Sequence, residues 1–216
     1  MIAMILAAGR GERLRPLTDT VPKALVEVRD ESLLERHLRA LAAAGIDTVV
    51  INLGWLGRQI VDRIGSGASY GVNVVYSPEG DNILETGGGI HRALPMLGRE
   101  PFLVVNADIL TDMPLSVAEL DKNDVAHLKL VPTPAGKSSG DFDLQDGRIR
   151  NGDDPVLTFS GVAVYRPEFF ADCKPGRFSV VPMLRAAADA GQVSGSLYVG
   201  LWKDVGTPEC LTALNE

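Results

Sequence analysis

The sequence predicts an α/β fold, a doubly wound, mostly parallel (mixed) sheet of the Rossmann-like kind in a single domain spanning residues 1–216. Three observations carry that expectation. Apolar runs of strand length alternate with helical stretches through the first half of the chain. An N-terminal apolar run passes straight into a loop of small and basic residues. Acidic residues follow later apolar strands, at the sheet end where such folds bind ligands.

Residues 2–8 are apolar and long enough for one buried strand. Ser32 and Glu35 have capping-box spacing ahead of Leu33, Leu34, Leu38 and Leu41, and Gly45 closes that helix. Residues 47–53 read as a Val/Ile-rich strand, 56–64 as a short helix and 72–76 as a strand. A helix over 86–97 and an apolar strand over 102–105 follow. The pattern changes near residue 110. Stretches 125–131, 142–144, 148–150 and 156–165 read as strands, with Asp146-Gly147 as a hairpin turn. A helix over 180–190, a strand over 195–199 and a helix from Thr207 complete the order. Residues 1–110 thus form a nucleotide-type half and 111–216 a mixed-sheet half.

A hydrophobic content of 45% with 23% charged residues is ordinary for a soluble globular chain. The net charge of −7 argues against a nucleic-acid surface, so any anion must be met by a local cluster. Cys173 and Cys210 form no CxxC, and no histidine has ligand spacing, so zinc is not expected. His37, His91 and His127 are read as structural or surface residues, and no Ser-His-Asp or Cys-His arrangement can be made. The N-terminal run is too short to span a membrane and lacks a basic leader, and a cytoplasmic protein is expected. A monomer or small homo-oligomer is expected, with the oligomeric state otherwise open.

Residues 6–23 carry the strongest functional signal. They read Leu6-Ala7-Ala8-Gly9-Arg10-Gly11-Glu12-Arg13-Leu14-Arg15-Pro16-Leu17-Thr18-Asp19-Thr20-Val21-Pro22-Lys23. Bare backbone amides with fixed cations, at the carboxyl end of a parallel strand, make a polyphosphate site. The dinucleotide fingerprint would need glycine at Leu14, and no G-x-x-x-x-G-K-[ST] run occurs. The stretch resembles the start of the sugar-1-phosphate nucleotidyltransferases, roughly LAAGxGTRLxPLTxxxPK. Glu12 departs from that pattern and is given no role.

Further segments extend the resemblance over almost the whole chain. Asn106-Ala107-Asp108 follows the strand at 102–105, and Trp202-Lys203-Asp204-Val205-Gly206-Thr207-Pro208 is similar to the family's closing motif. Alone, each aspartate could simply begin a turn. Together they match the two positions from which family members hold a metal ion, which implies Mg²⁺, with Mn²⁺ an alternative. Tyr76-Ser77-Pro78-Glu79-Gly80 through Leu84-Glu85-Thr86-Gly87-Gly88-Gly89 resembles the base-contacting segment, although relatives often read GTAGA at 85–89 and 81–83 is stretched by about one residue. Glu79 is either a solvated turn residue or an acceptor for a ring N–H, which favours uracil, thymine or guanine over cytosine and adenine. The glycine run is either tight packing or room for a nucleobase to approach the backbone. Gly140-Asp141-Phe142 and Thr158-Phe159-Ser160-Gly161 resemble the acceptor-sugar elements. Asp141 is the better candidate, and Ser160 has the alternative role of satisfying the strand end.

The resemblance implies the nucleotidyltransferase (GT-A-like) fold, with 1–110 binding nucleotide and 111–216 binding sugar. It implies an enzyme that joins a sugar 1-phosphate to a nucleoside triphosphate and releases pyrophosphate. Arg13 and Lys23 take the catalytic roles and Asp108 with Asp204 the metal. Ala7, Ala8, Gly9, Gly11, Glu79, Gly87 and Gly88 take the nucleotide, and Asn106, Asp141, Ser160 and Gly161 the sugar. The Glu-Thr-Gly-Gly-Gly run, the Thr-Phe-Ser-Gly element and the closing motif are most similar to the branch that uridylylates N-acetylmuramate 1-phosphate in cell-wall recycling. UTP is therefore the expected nucleotide. Guanylyl transfer to mannose 1-phosphate, thymidylyl or uridylyl transfer to glucose 1-phosphate, and a non-catalytic nucleotide-sugar-binding subunit remain alternatives.

Overall fold

The apolar runs of the sequence become the middle of one nine-stranded sheet. The computed structural model describes residues 1–80, 82–116 and 119–216. In chain order the elements are β1 (Ile2–Leu6), β2 (Glu27–Val28), β3 (Glu31–Ser32), α1 (Leu33–Ala43), β4 (Thr48–Leu53), α2 (Gly57–Ile64) and β5 (Asn73–Pro78). Then come α3 (Glu85–Leu97), β6 (Phe102–Asn106), β7 (Ile109–Thr111), β8 (Ala126–Pro132), β9 (Asp143–Gln145), β10 (Arg148–Arg150) and β11 (Leu157–Tyr165). The chain closes with α4 (Val181–Asp189), β12 (Val193–Leu197), β13 (Trp202–Asp204) and α5 (Pro208–Asn215).

The strand order is β5-β4-β1-β6-β11-β8-β12-β10-β9. The first four strands run parallel, and β11 then lies antiparallel to β6, with Val162 opposite Val105. The sheet therefore crosses the change of character near residue 110 without interruption. Alternation along each strand splits the core between two faces. Ala3, Ile5, Val49 and Ile51 pack under Leu34, Leu38 and Leu41 of α1 and Ile60 of α2. Met4, Val50, Phe102 and Val104 pack on the other face against Ile90 of α3 and Leu184 of α4.

The capping box forms as its spacing predicts: the Glu35 N–H donates to Ser32 Oγ and the Ser32 N–H to Glu35 Oε2, both at 3.2 Å. Burial alone would raise the Glu35 carboxyl. Hydrogen bonds from Arg63, Ser32 and Tyr70 outweigh that and hold it down at about 2. Asp146 and Gly147 both have positive φ, 49° and 73°, as a type I′ hairpin requires. The strand expected at 195–199 lies two residues earlier, because its ladder begins with Val193 opposite Ala126. Two short ribbons, β2–β3 and β7–β13, lack the length to show in the sequence pattern. Among the described residues, no helix is long and apolar enough to cross a membrane.

Candidate active site

One left-handed glycine shapes the loop after β1. Gly11 has φ +66°, and a Cβ there would lie 3.0 Å from both Lys23 Cβ and Thr18 Cγ2. Glycine lets the chain turn without displacing either neighbour. Thr18 Oγ1 donates to the Gly11 carbonyl at 2.8 Å, and the Trp55 indole N–H donates to the Thr18 carbonyl at 2.9 Å. Short 3₁₀ turns at Glu12–Leu14, Leu17–Asp19 and Lys23–Leu25 fold the rest of the loop back on itself.

That folding buries Lys23, whose side chain is 11% exposed, between two carboxylates. Its Nζ lies 2.5 Å from Asp108 Oδ2 and 3.7 Å from Asp204 Oδ1. Arg13 Nη2 donates to Asp204 Oδ2 at 3.1 Å. Residues from three distant segments thus form one charged cluster. The backbone sets its geometry: β7 and β13 pair antiparallel with Asp204 opposite Ile109. The Val205 N–H also donates to the Asp108 carbonyl at 2.9 Å. Gly206 leaves room for Arg13, since a Cβ there would sit 2.6 Å from its Nη2.

A cavity of about 170 Å³ includes Asp108 in its wall, together with Leu6, Ala8, Gly9, Asn52, Glu79, Ile83, Glu85, Thr86 and Asn106. Behind it runs a directional chain of hydrogen bonds. The Ala7 N–H donates to Asn52 Oδ1, Asn52 Nδ2 donates to Glu79 Oε1, and the Leu84 N–H donates to Glu79 Oε2, each at 2.7 Å. A second cavity of about 150 Å³ shares Leu6, Thr86 and Asn106. Apart from these it is mostly apolar, with Phe159, Tyr165, Val180 and Val181 in its wall.

A family model described as nucleotidyl transferase matches residues 2–134. The chain belongs to that family. N-acetylmuramate alpha-1-phosphate uridylyltransferase from Neisseria meningitidis serogroup B is 51% identical, over 96% of this chain and 94% of the relative. Its counterpart from Caulobacter vibrioides is 36% identical, over 98% and 94%. A solved UDP-glucose pyrophosphorylase complexed with UDP-glucose superposes with TM-score 0.79 at 20% identity, over 99% of this chain and 96% of that one. A Bacillus anthracis structure solved with a sucrose gives TM-score 0.86, also at 20% identity, over 100% and 94%. These two structural likenesses establish the nucleotidyltransferase fold.

Within this family member, several residues expected at the ligand have other structural work. The Ala7 N–H is committed to Asn52, so it offers no free donor to phosphate. The Ala8 carbonyl accepts the Trp55 N–H at 3.2 Å, and Gly9 stands with open space around its Cα. Glu79 is 6% exposed, which corrects the solvated-turn alternative. Gly87 and Gly88 face the segment 176–178: a Cβ on Gly87 would lie 2.4 Å from the Phe178 ring, and one on Gly88 2.2 Å from the Gly176 carbonyl. Close packing is thus one reason for glycine at both positions.

Among the residues expected at the sugar, Asn106 lines both cavities, and Gly161 (φ +81°) lies against it at the β-bulge of β11. Ser160 is 1% exposed; its Oγ donates to the Lys129 carbonyl and accepts the Val162 N–H. These bonds fit the alternative in which Ser160 satisfies the strand at its bulge. Asp141 accepts from Lys137 Nζ at 2.8 Å and from the Phe159 N–H at 2.9 Å, so both its oxygens tie chain segments together. The side chain stays about one-third exposed, so the same carboxylate has acceptor capacity left for a sugar hydroxyl. Asp81, part of the stretched segment, lies outside the described residues.

The sequence reading missed Asn52, Trp55 and the placement of His37. His37 is buried on α1, and burial pushes its imidazole down to about 4, against the opposing charge of Asp108 and a backbone hydrogen bond with Ile109. Its Nε2 has no hydrogen-bond partner among the described residues.

Proposed function

We propose that this protein transfers the uridylyl group of UTP to N-acetylmuramate 1-phosphate, releasing UDP-N-acetylmuramate and pyrophosphate. The observation that carries the reading is Lys23 held between Asp108 and Asp204 at the end of the glycine loop, beside a cavity. The substrate pair follows the printed activity of the relatives that match along nearly the whole chain. A sugar phosphate oxygen is already charged and nucleophilic, so it attacks the α-phosphorus in line without a protein nucleophile. The protein's contribution is to align two polyanions and to neutralise charge as it develops. Lys23 meets the phosphates at the reacting centre, and Arg13 meets the triphosphate.

Asp108 and Asp204 suit a hard divalent cation, which takes one or two carboxylates and fills its remaining positions with water and phosphate oxygen. Mg²⁺ or Mn²⁺ held there would supply further neutralisation of phosphate charge. Glu79, an acceptor-only group in the cavity wall, favours a base with a ring N–H and so supports uracil over cytosine. The adjoining apolar cavity suits the substituents of the sugar. Both substrates are phosphorylated metabolites, and the cytoplasm is the compartment this reading requires.

A matrix of sugar 1-phosphates against nucleoside triphosphates, read by pyrophosphate release, tests the proposal. UTP with N-acetylmuramate 1-phosphate should give the highest kcat/KM, chelator should abolish turnover, and Mg²⁺ should restore it. Lys23→Ala should lower kcat by about 10²-fold, the scale of one lost transition-state contact. Preference for GTP with mannose 1-phosphate, or full turnover in chelator, would overturn it.

A further inference from the structure

Among the described residues, Arg10 is the cation of the glycine loop that meets no carboxylate. Arg13 pairs with Asp204, Arg15 with Asp19 at 2.6 Å, and Lys23 with Asp108. Arg10 instead lays its guanidinium over the Trp55 ring, 4.2 Å from the centroid. Trp55 is itself tied to the loop, through its indole N–H to Thr18 and its backbone N–H to Ala8. The platform is fixed, and the exposed arginine rests on it.

Space lies beside this resting position. A cavity of about 600 Å³ is lined by Gly9, Arg10, Glu12, Asn82, Ile83 and Arg177. Another of about 400 Å³ shares Arg10 and Ile83 with it and includes Trp55. Arg177 is already engaged by Glu85 at 2.8 Å. Among the described residues of that wall, Glu12 contributes a negative charge and Arg10 is the cation not already paired with a carboxylate. Cation–π contact at an exposed site is weak, and charge-assisted bonds from a planar guanidinium to phosphate are stronger. A polyphosphate arriving beside Gly9 would therefore draw Arg10 off Trp55.

Resting on the transfer proposed above, we propose that Arg10 is a swinging clamp for the pyrophosphate leaving group. It leaves Trp55 to pair with the β- and γ-phosphates in the 600 Å³ cavity. The sugar phosphate oxygen forms its bond to the α-phosphorus as the bond from that phosphorus to the α–β bridging oxygen breaks. Pyrophosphate departs with the bridging oxygen and its electron pair, still held by Arg10.

Inorganic pyrophosphate with Mg²⁺ is the probe. The chain has two tryptophans, so a Trp202→Phe background leaves Trp55 as the reporter. Titration should change its emission as Arg10 departs. Arg10→Met should bind pyrophosphate at least tenfold more weakly and abolish the emission change, with Arg10→Lys intermediate. Arg58→Met, which removes an exposed charge on α2, should bind as the parent does. Calorimetry on Arg10→Met in the otherwise unaltered chain decides the affinity independently of the Trp202 substitution. Pyrophosphate affinity within twofold of the parent, or an emission change that survives Arg10→Met, overturns the clamp. Failure to form a UDP-sugar would sink the transfer reaction instead, and leaves the pyrophosphate titration to be read by itself.

Discussion

Glu79 sits between two donors, Asn52 Nδ2 and the Leu84 N–H, and only a residue that accepts on both oxygens satisfies them. Asn52 cannot reverse its amide, because its Oδ1 is needed by the Ala7 N–H. Glu79→Gln therefore turns an NH₂ toward one of these donors in a buried site. The expected loss is about 1–3 kcal/mol, seen as a lower denaturant midpoint at unchanged slope. The same change puts a donor into the cavity wall and should narrow the UTP-over-CTP preference in kcat/KM by about one to two decades. A Glu79→Gln protein as stable as its parent would contradict the hydrogen-bond chain. The carboxylate at 79 was legible in the sequence from its motif. Asn52 was not, because a lone polar residue within a Val/Ile-rich strand carries no spacing signal, and its partners lie far along the chain.

Near its start, after Glu85 and Thr86, helix α3 has three consecutive glycines, which should weaken it by roughly 1 kcal/mol apiece relative to alanine. Packing accounts for their presence. The segment 176–178 lies directly on that face, with the Gly88 N–H donating to the Phe178 carbonyl at 3.0 Å and the Phe178 N–H to the Leu84 carbonyl at 3.1 Å. The Val180 N–H donates to Thr86 Oγ1 at 3.0 Å, so the start of α4 is joined to the start of α3. Gly88→Ala would set a methyl against the Gly176 backbone, which has no rotamer with which to yield. We expect a loss of about 1–3 kcal/mol, with kcat/KM falling because Thr86 lines both cavities. Stability and kinetics unchanged in Gly88→Ala would show that the two helix starts are not coupled. The glycine run was visible in the sequence, whereas the surface it meets was not. The β7–β13 ribbon was hidden for a similar reason, since two three-residue strands separated by most of the second half of the chain leave no periodicity to read.

At the scale of the molecule, the nine-stranded sheet carries the glycine loop and walls of both cavities, the β7–β13 ribbon beside it brings Asp204 to Asp108, and α1 braces the sheet near Asp108. That brace contains a buried imidazole. His37 is neutral in the fold because burial pushes its pKa from 6.5 down to about 4. The unfolded chain takes up a proton near pH 6.5, while the folded chain does not until about pH 4. Between those values the unfolded state binds more protons, so stability must fall as pH falls. The loss from this residue should be about 2 kcal/mol between pH 7 and pH 5. Glu35 acts in a lower window. Its depressed carboxyl stabilises the fold above about pH 4.5, and that contribution disappears as pH drops toward 2. Urea unfolding measured across pH 7 to 5 should therefore show a slope that His37→Leu removes and Glu35→Gln leaves in place. Below about pH 3.5, where His37 is protonated in both states, the dependence should be reduced by Glu35→Gln and not by His37→Leu. A His37→Leu protein with the parent's full loss of stability between pH 7 and 5 would place the acid sensitivity elsewhere in the fold.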